Sequence, residues 1–132
     1  MRSVRISVIL LAVMITAIIF NSYYINSVST ELLDMIFALP SEYNYIINLD
    51  EQELEDFKSD INKITAEWEK NARRICAVTR YSDFEKTNTA VYNLKEYFFA
   101  GSYAEYLTSR RKLITALEKQ KVNEMPNLEN IF

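Results

Sequence analysis

The chain has 132 residues, of which 13% are aromatic and 25% are charged, and its formal net charge is −3. This acidic balance argues against a nucleic-acid partner, because binding the phosphate backbone requires an excess of lysine and arginine. The chain contains no histidine and a single glycine, which removes the commonest general base, most zinc and di-iron sites and glycine-rich phosphate loops. We therefore expect no enzymatic activity, no metal site and no cofactor.

A long apolar segment near the start of the sequence predicts a transmembrane helix. Ile6–Ile25 is mostly apolar and carries no charge. A helix of about 20 residues spans about 30 Å, which matches the hydrocarbon core of a bilayer. Arg2 and Arg5 precede the segment, and positive residues are retained on the cytoplasmic side. We therefore expect residues 1–5 in the cytoplasm, a single span over residues 6–25 and the rest of the chain outside the cell membrane.

A cleaved signal peptide is the alternative interpretation of the same segment. The basic residues 1–5 and the apolar core Ile6–Phe20 both fit such a peptide. Ser27 and Ser29 have the small side chains that cleavage requires, but they lie well beyond the apolar core. The helical pattern also continues without a break through this position. We therefore expect an uncleaved anchor.

The first helix is predicted to continue outside the membrane. Ile25, Val28, Leu32 and Leu39 extend an apolar stripe at helical spacing. Pro40 ends the helix, because the residue before a proline avoids the helical conformation. Residues 26–39 are thus expected to form an outward extension, whose apolar face needs a packing partner.

Residues 40–125 are predicted to form an extracytoplasmic helical domain. Residues 41–49 show no clear period and are interpreted as a connector. Asp50 and Glu53 form a capping pair at the start of a helix of about 28 residues. The apolar residues of this helix follow the spacing of a packing seam. They are Leu54, Phe57, Ile61, Ile64, Trp68, Ile75 and Val78.

The rest of the domain predicts a helical hairpin. A turn at 80–83 overlaps a capping box, Ser82–Glu85, and the helix that follows runs to about Ala100. Gly101 stands where a left-handed helix cap is needed, and a second capping box, Ser102–Glu105, comes directly after it. We expect the last helix to direct four residues inward: Tyr103, Leu107, Ile114 and Leu117.

The sequence as a whole predicts an all-α fold. It consists of an N-terminal transmembrane helix that extends outward, followed by a small three-helix bundle with a C-terminal helical hairpin. The apolar tail, residues 126–132, contains Leu128, Ile131 and Phe132, and we expect it to dock back onto the bundle. Cys76 is the only cysteine, so no intrachain disulfide forms, and we interpret it as a small apolar filler rather than a reactive thiol.

Aromatic residues of the helical domain provide one candidate interaction surface. Its members are Trp68, Tyr92, Tyr97, Tyr103 and Tyr106. The competing interpretation of Trp68 is that it anchors the core. The competing interpretation of the tyrosines is that they lie at the rim of the core with their hydroxyls in water.

Basic residues provide the second candidate site. In an antiparallel bundle, five of them come to one end: Arg73, Arg74, Arg80, Lys119 and Lys121. Nine acidic residues and one lysine lie between Glu31 and Asp60, which makes the other end negative. The basic end has the charge to contact anionic lipid head groups, and a solvated face with local ion pairs is the alternative.

Three short features of the sequence occur together: Trp68-Glu69-Lys70, the segment from Leu94 to Tyr97 before Gly101, and Asn130-Ile131-Phe132. In these features the chain resembles a family of short single-pass membrane proteins of Gram-positive, spore-forming bacteria that is known only as a domain of unknown function. Members of the family often have a histidine in the turn after the tryptophan helix, where this chain has Arg80-Tyr81, so no role of that histidine transfers. The resemblance implies a membrane-anchored protein of the bacterial cell envelope and assigns no activity.

These observations lead to two hypotheses about function. The first is a non-catalytic protein-interaction module of the cell envelope, which binds an envelope protein or a second copy of itself. The alternative is a small-ligand sensor or carrier with a tyrosine-lined pocket, which acts together with a membrane partner.

Overall fold

The computed structural model describes residues 2–123, and this part of the chain is all-α, as predicted. It contains five helices and no strand. Their bounds are α1 Arg2–Phe37, α2 Tyr43–Ile47, α3 Glu51–Val78, α4 Tyr81–Phe99 and α5 Tyr103–Asn123. The docking predicted for the apolar tail, residues 126–132, lies outside the described residues.

Helix α1 consists of an exposed half and a packed half. Every residue from Arg2 to Phe20 is exposed, whereas one face of the helix is buried from Ser22 to Ile36. By length and composition α1 is the one helix among residues 2–123 that is able to span a membrane. The helix therefore continues without a break beyond the predicted span, and it ends at Phe37. Its buried face begins at Ser22, inside the segment predicted to lie in the membrane.

Helix α2 replaces the connector that the sequence predicts after Pro40. Its five residues are too few for an apolar period to be recognised, and only Ile46 among them is buried. The Ile46 side chain is part of the core, and α2 packs against α5. Burial of this one apolar side chain fixes the segment against the bundle.

The start and the seam of α3 agree with the sequence. The Glu53 backbone N–H donates to Asp50 Oδ1 at 2.8 Å, which confirms the predicted cap. Asn71 occupies a buried position in the apolar seam because it pairs with α1: the Tyr24 hydroxyl donates to Asn71 Oδ1. The Asn71 side-chain N–H in turn donates to the Glu67 carbonyl at 2.8 Å. This pairing satisfies a polar group that would otherwise be costly to bury.

The start of α4 differs from the prediction. Arg80 is the N-cap residue, it forms no side-chain capping bond, and the helix begins at Tyr81. The predicted turn at 80–83 and the capping role of Ser82 are therefore wrong. Thr79 ends α3 with an extended backbone, so two residues suffice to reverse the chain and α4 starts earlier than the capping box indicates.

The hairpin between α4 and α5 forms as predicted. Gly101 has a φ angle of +78°, the left-handed conformation that L residues with a side chain adopt reluctantly. The backbone N–H of Ser102 donates to the Tyr97 carbonyl at 2.9 Å, and that of Gly101 donates to the Phe98 carbonyl at 3.2 Å. These two bonds close a Schellman-type cap, which turns the chain tightly enough for α4 and α5 to pack side by side.

The packed half of α1 joins α3, α4 and α5 as the fourth member of the bundle. Helices α1 and α4 each pack against both α3 and α5. Gln120 Nε2 donates to Ser29 Oγ at 2.9 Å, and Arg110 donates to the Ile36 carbonyl near the other end of the contact, so α5 runs antiparallel to α1. The predicted three-helix bundle is thus completed by the helix that precedes it.

The inward face of α5 differs in part from the prediction. Leu117 is fully buried, as expected, whereas Tyr103, Leu107 and Ile114 are half-buried at the edge of the core. The other fully buried hydrophobic residues of α5 are Tyr106 and Leu113. The difference arises because α5 packs against three helices, α1, α2 and α4. The positions of these helices determine which face of α5 is buried, and the apolar pattern of α5 alone does not give them.

Candidate functional site

Two members of the predicted aromatic surface lie in the core. Trp68 has 0% of its surface exposed, stacks on Phe84 with ring centroids 5.6 Å apart, and donates its indole N–H to Asn88 Oδ1 at 2.8 Å. Tyr106 is likewise 0% exposed and donates its hydroxyl to the Pro40 carbonyl at 2.8 Å. Their assignment to an exposed surface is therefore wrong, and the interpretation of Trp68 as a core anchor is confirmed.

The remaining three tyrosines do not form one surface. Tyr92 is 41% exposed and donates to Glu69 Oε1 at 2.9 Å across the α3–α4 contact. This hydrogen bond, together with partial burial and the charge of Glu69, raises the pKa of the Tyr92 phenol. Tyr103 lies against Phe98 with ring centroids 5.5 Å apart, and Tyr97 lines a separate groove on the other side of α4. Within residues 2–123, these three tyrosines therefore do not converge on one pocket.

Burial of Tyr106 predicts a specific dependence of stability on alkaline pH. Burial raises the pKa of its phenol above the ordinary value of 10.0, and the positive charge of Arg110 offsets part of the rise. The folded protein therefore holds a proton that the unfolded chain releases above about pH 10. The stabilisation from the neutral phenol is complete below that pH and decreases as the pH rises further.

We therefore expect the free energy of unfolding to fall above about pH 10 and to fall less steeply in a Tyr106→Phe variant. At neutral pH this variant should lose about 1 kcal/mol, because the Pro40 carbonyl loses its donor. The measurement is denaturant unfolding of the full chain in detergent, followed by circular dichroism from neutral to alkaline pH. Tyr81→Phe, at a position that is 68% exposed, is the control. Equal alkaline slopes in all three proteins would contradict the prediction.

A groove of about 1060 Å³ lies between α4 and α5. It extends from Ser82 and Lys119 at one end of the helix pair to Tyr97 and Ala104 at the other. The distance along α4 is about 22 Å at the rise of an α-helix. Small side chains line much of its surface: Thr89, Ala90, Ala104, Thr108, Ser109, Thr115 and Ala116.

The charged residues of this groove are mostly basic. Four cationic side chains line it, Lys86, Arg111, Lys112 and Lys119, against two carboxylates, Glu85 and Glu105. Because the small side chains leave the helix backbones accessible to close approach, the groove has the shape that accepts another helix. The sequence signal that would have located it is the spacing of small residues on α5, Ala104–Thr108–Thr115, on the face opposite to the buried stripe.

The basic residues predicted to gather at one end of the bundle do so. Arg73 and Arg74 lie in the last turns of α3, Arg80 lies in the connection to α4, and Lys119 and Lys121 lie in the last turns of α5. Lys119 Nζ is 3.6 Å from Asp83 Oδ1, which ties the end of α5 to the start of α4. We call this end of the bundle, with these five basic residues, the basic end.

The basic end lies next to the boundary between the two halves of α1. The guanidinium carbon of Arg74 is 3.8 Å from the centre of the Tyr24 ring and 5.5 Å from that of Phe20, a cation–π arrangement. Phe20 is the last residue of the fully exposed half of α1, and Ser22 is the first buried one. The basic end and the exposed apolar helix are therefore adjacent parts of one surface.

Residues 2–123 contain few other sites at which side chains could bind a metal ion or act as a nucleophile. Within residues 2–123 no three cysteine, aspartate or glutamate side chains are close enough to hold a metal ion. Cys76 is half-buried on α3.

Comparison with protein-family models, with curated proteins and with solved structures finds no match for this chain.

Proposed function

We propose that this protein is a membrane-anchored, non-catalytic interaction module of the bacterial cell envelope. In this proposal the exposed half of α1 spans the membrane with its N-terminus in the cytoplasm. The bundle stands outside and binds an acidic helix of a partner protein in the α4–α5 groove. The groove, with its small side chains and basic rim, is the observation that carries the proposal.

The exposure of α1 supports the membrane anchor. Arg2–Phe20 is exposed throughout and is apolar apart from the two arginines and a few hydroxyl groups. The uncharged part of this half, Ile6–Phe20, is about 22 Å long, and the predicted span up to Ile25 reaches about 30 Å, the hydrocarbon thickness of a bilayer. Arg2 and Arg5 at its start support the cytoplasmic placement of the N-terminus.

The packing of α1 also supports an anchor that is not cleaved. Cleavage after Ser29 would remove Ile25 and Val28, which are core residues, and would break the Gln120–Ser29 hydrogen bond. It would also remove Tyr24, the partner of buried Asn71. The bundle would then expose apolar surface, and the Asn71 amide oxygen would lose the donor that Tyr24 provides.

The shape of the groove favours a helix over a small molecule as the ligand. Small-molecule sites are enclosed and mostly apolar, and they surround most of the ligand. The α4–α5 groove is instead open and follows the two helices for about 22 Å. An amphipathic helix that places small residues against α4 and α5 and acidic residues against Arg111 and Lys112 would fill it. Tyr97 is the one tyrosine among residues 2–123 that lines this groove, so no observation specifically favours the alternative, a small-ligand sensor or carrier.

Membership of the family of short single-pass membrane proteins that the sequence resembles is part of the same proposal. The tryptophan in Trp68-Glu69-Lys70 is a core anchor in this chain. In that family the motif would then maintain the fold, and the binding surface would vary independently of it.

Site-specific photocrosslinking in cells tests the proposed groove. A photoreactive amino acid replaces Thr108, which is exposed in the groove, or Ala66, which is exposed on α3 outside the groove. We expect Thr108 to crosslink to an acidic helical segment of one protein, identified by mass spectrometry of the crosslinked peptide, and Ala66 not to do so. A Thr89→Trp substitution, which fills the groove, should abolish this crosslink.

Three outcomes of the crosslinking experiment would contradict the proposal. Equal crosslinking from Ala66 and Thr108 would show that the contact is not specific to the groove. Capture of this chain alone would replace the partner protein by a second copy. Crosslinks that persist in Thr89→Trp would show that the groove is not the binding surface.

A further inference from the structure

We propose that the basic end of the bundle binds the anionic phospholipid head groups that surround α1. This inference rests on the proposed membrane anchor and adds a second binding site, which shares only Lys119 with the α4–α5 groove. It follows from the position of the basic end, the incomplete neutralisation of its charge by the chain itself and the charge of the opposite end.

The position of Arg74 places the basic end at the membrane surface of an anchored chain. Its guanidinium group stacks on Phe20 and Tyr24, where the lipid-exposed half of α1 ends. Aromatic side chains at this level are typical of the bilayer interface, and arginine extends its charge toward phosphate there. No linker separates α1 from the bundle, since the helix is continuous from Arg2 to Phe37. The ends of α3 and α5 therefore lie close to the head groups.

The charge of the basic end is only partly neutralised by the chain itself. Residues 70–86 and 116–121 contain seven basic and three acidic residues. Lys119 is the one cation of the basic end with a carboxylate within 4.0 Å in the described part of the chain, where its partner is Asp83. Arg73 and Arg80 are exposed. Phosphate oxygens are suitable partners for such guanidinium groups, which donate two parallel hydrogen bonds.

The opposite end of the bundle carries the opposite charge. Nine acidic residues and one lysine lie in residues 31–60, which include the outer end of α1, α2 and the first turns of α3. An anionic bilayer surface attracts the basic end and repels the acidic one, and both effects decay within about 10 Å. Although the overall charge is −3, the two ends of the bundle carry opposite charges. This separation of charge favours an orientation in which the basic end faces the bilayer and the acidic end points away from it.

Native mass spectrometry of the full chain in detergent tests the inference. The protein is titrated with equal amounts of phosphatidylglycerol and phosphatidylcholine, which differ in net head-group charge. We expect the first bound phosphatidylglycerol to be preferred at least tenfold. An Arg73→Gln/Arg80→Gln/Lys121→Gln variant should bind both lipids about equally. Arg74 stays unchanged, because its contact with the two rings also supports packing.

A matched variant separates the basic end from overall charge. Lys58→Gln/Lys63→Gln/Lys95→Gln removes the same three charges, but Lys58 and Lys95 lie near Phe99 at the other end of the bundle. This variant should keep the preference for phosphatidylglycerol. Equal binding of both lipids by the unmodified protein, or equal losses in the two variants, would overturn the inference.

The membrane anchor is tested separately by alkaline carbonate extraction of cell membranes. Retention of the unmodified chain and of both variants is expected if α1 spans the bilayer. Release of all three proteins would refute the anchor, which the lipid titration in detergent does not measure. If the unmodified chain stays in the membrane but shows no preference for phosphatidylglycerol, only the head-group site is refuted. The two failures are therefore distinguishable.

Discussion

Replacing Trp68 with alanine is expected to lower the free energy of unfolding by about 3–5 kcal/mol. The side chain is the largest of the fully buried ones, and its removal leaves a cavity that the surrounding helices fill only in part. Asn88 on α4 also loses the indole N–H that it accepts, which leaves a partly buried amide oxygen without that donor. Since a typical domain is stable by only about 5–15 kcal/mol, the variant should be close to unfolding at growth temperature.

Two controls divide this loss into packing and hydrogen bonding. Trp68→Phe keeps an aromatic ring against Phe84 and removes the indole N–H, so it should cost about 1–3 kcal/mol. Tyr81→Ala removes a ring that is 68% exposed and should change stability by less than about 0.5 kcal/mol. Thermal unfolding of the full chain in detergent, followed by far-ultraviolet circular dichroism, gives the comparison. A Trp68→Ala protein as stable as Tyr81→Ala would show that Trp68 is not a core residue.

Replacing Leu32 with aspartate is expected to prevent stable folding of the bundle while leaving α1 able to insert into a membrane. Leu32 is 1% exposed and lies in the packed half of α1, where a carboxylate would be buried among apolar side chains. The cost of burying it, charged or neutral, adds to the lost apolar packing and exceeds about 4 kcal/mol. Phe37→Asp, on the same helix at a position that is 55% exposed, should be nearly neutral.

Limited proteolysis of membranes that contain each protein measures the effect of Leu32→Asp. We expect rapid cleavage within α3–α5 in this variant and protection in the unmodified chain and in Phe37→Asp. Equal protection of all three would mean that α3, α4 and α5 form a stable bundle without α1. The bundle would then be an independent domain rather than a continuation of the anchor.

The helices could be predicted from the sequence wherever a long apolar period or a local cap defines them. The Asp50 cap and the Gly101 turn are local interactions between residues a few positions apart, and the apolar stripe after Ile25 needed a partner whatever its identity. The start of α4 was missed because a serine with a glutamate three residues later resembles a cap even inside a helix. The extended backbone of Thr79 and Arg80 separates the two helices instead, so α4 begins at Tyr81.

The binding surfaces could be predicted only in part, for a different physical reason. Basic residues at three helix ends meet because antiparallel helices of similar length bring those ends together, which follows from chain order. Whether a tyrosine is a surface or a core residue depends on which neighbours surround it. Tyr106 is buried because the Pro40 carbonyl lies opposite its hydroxyl, 66 residues away in the chain. The groove likewise forms where the outer faces of α4 and α5 meet, and the packing of the two helices determines its shape.

The continuity of α1 has a mechanical consequence. Helix α1 has 36 residues, a length of about 54 Å, and neither a proline nor a glycine interrupts it. Bending such a rod is unfavourable without one of these breaks, so a tilt or a rotation of its lipid-embedded part turns the outer bundle through the same angle. In an anchored chain, bilayer thickness and neighbouring helices would therefore set the direction in which the α4–α5 groove points.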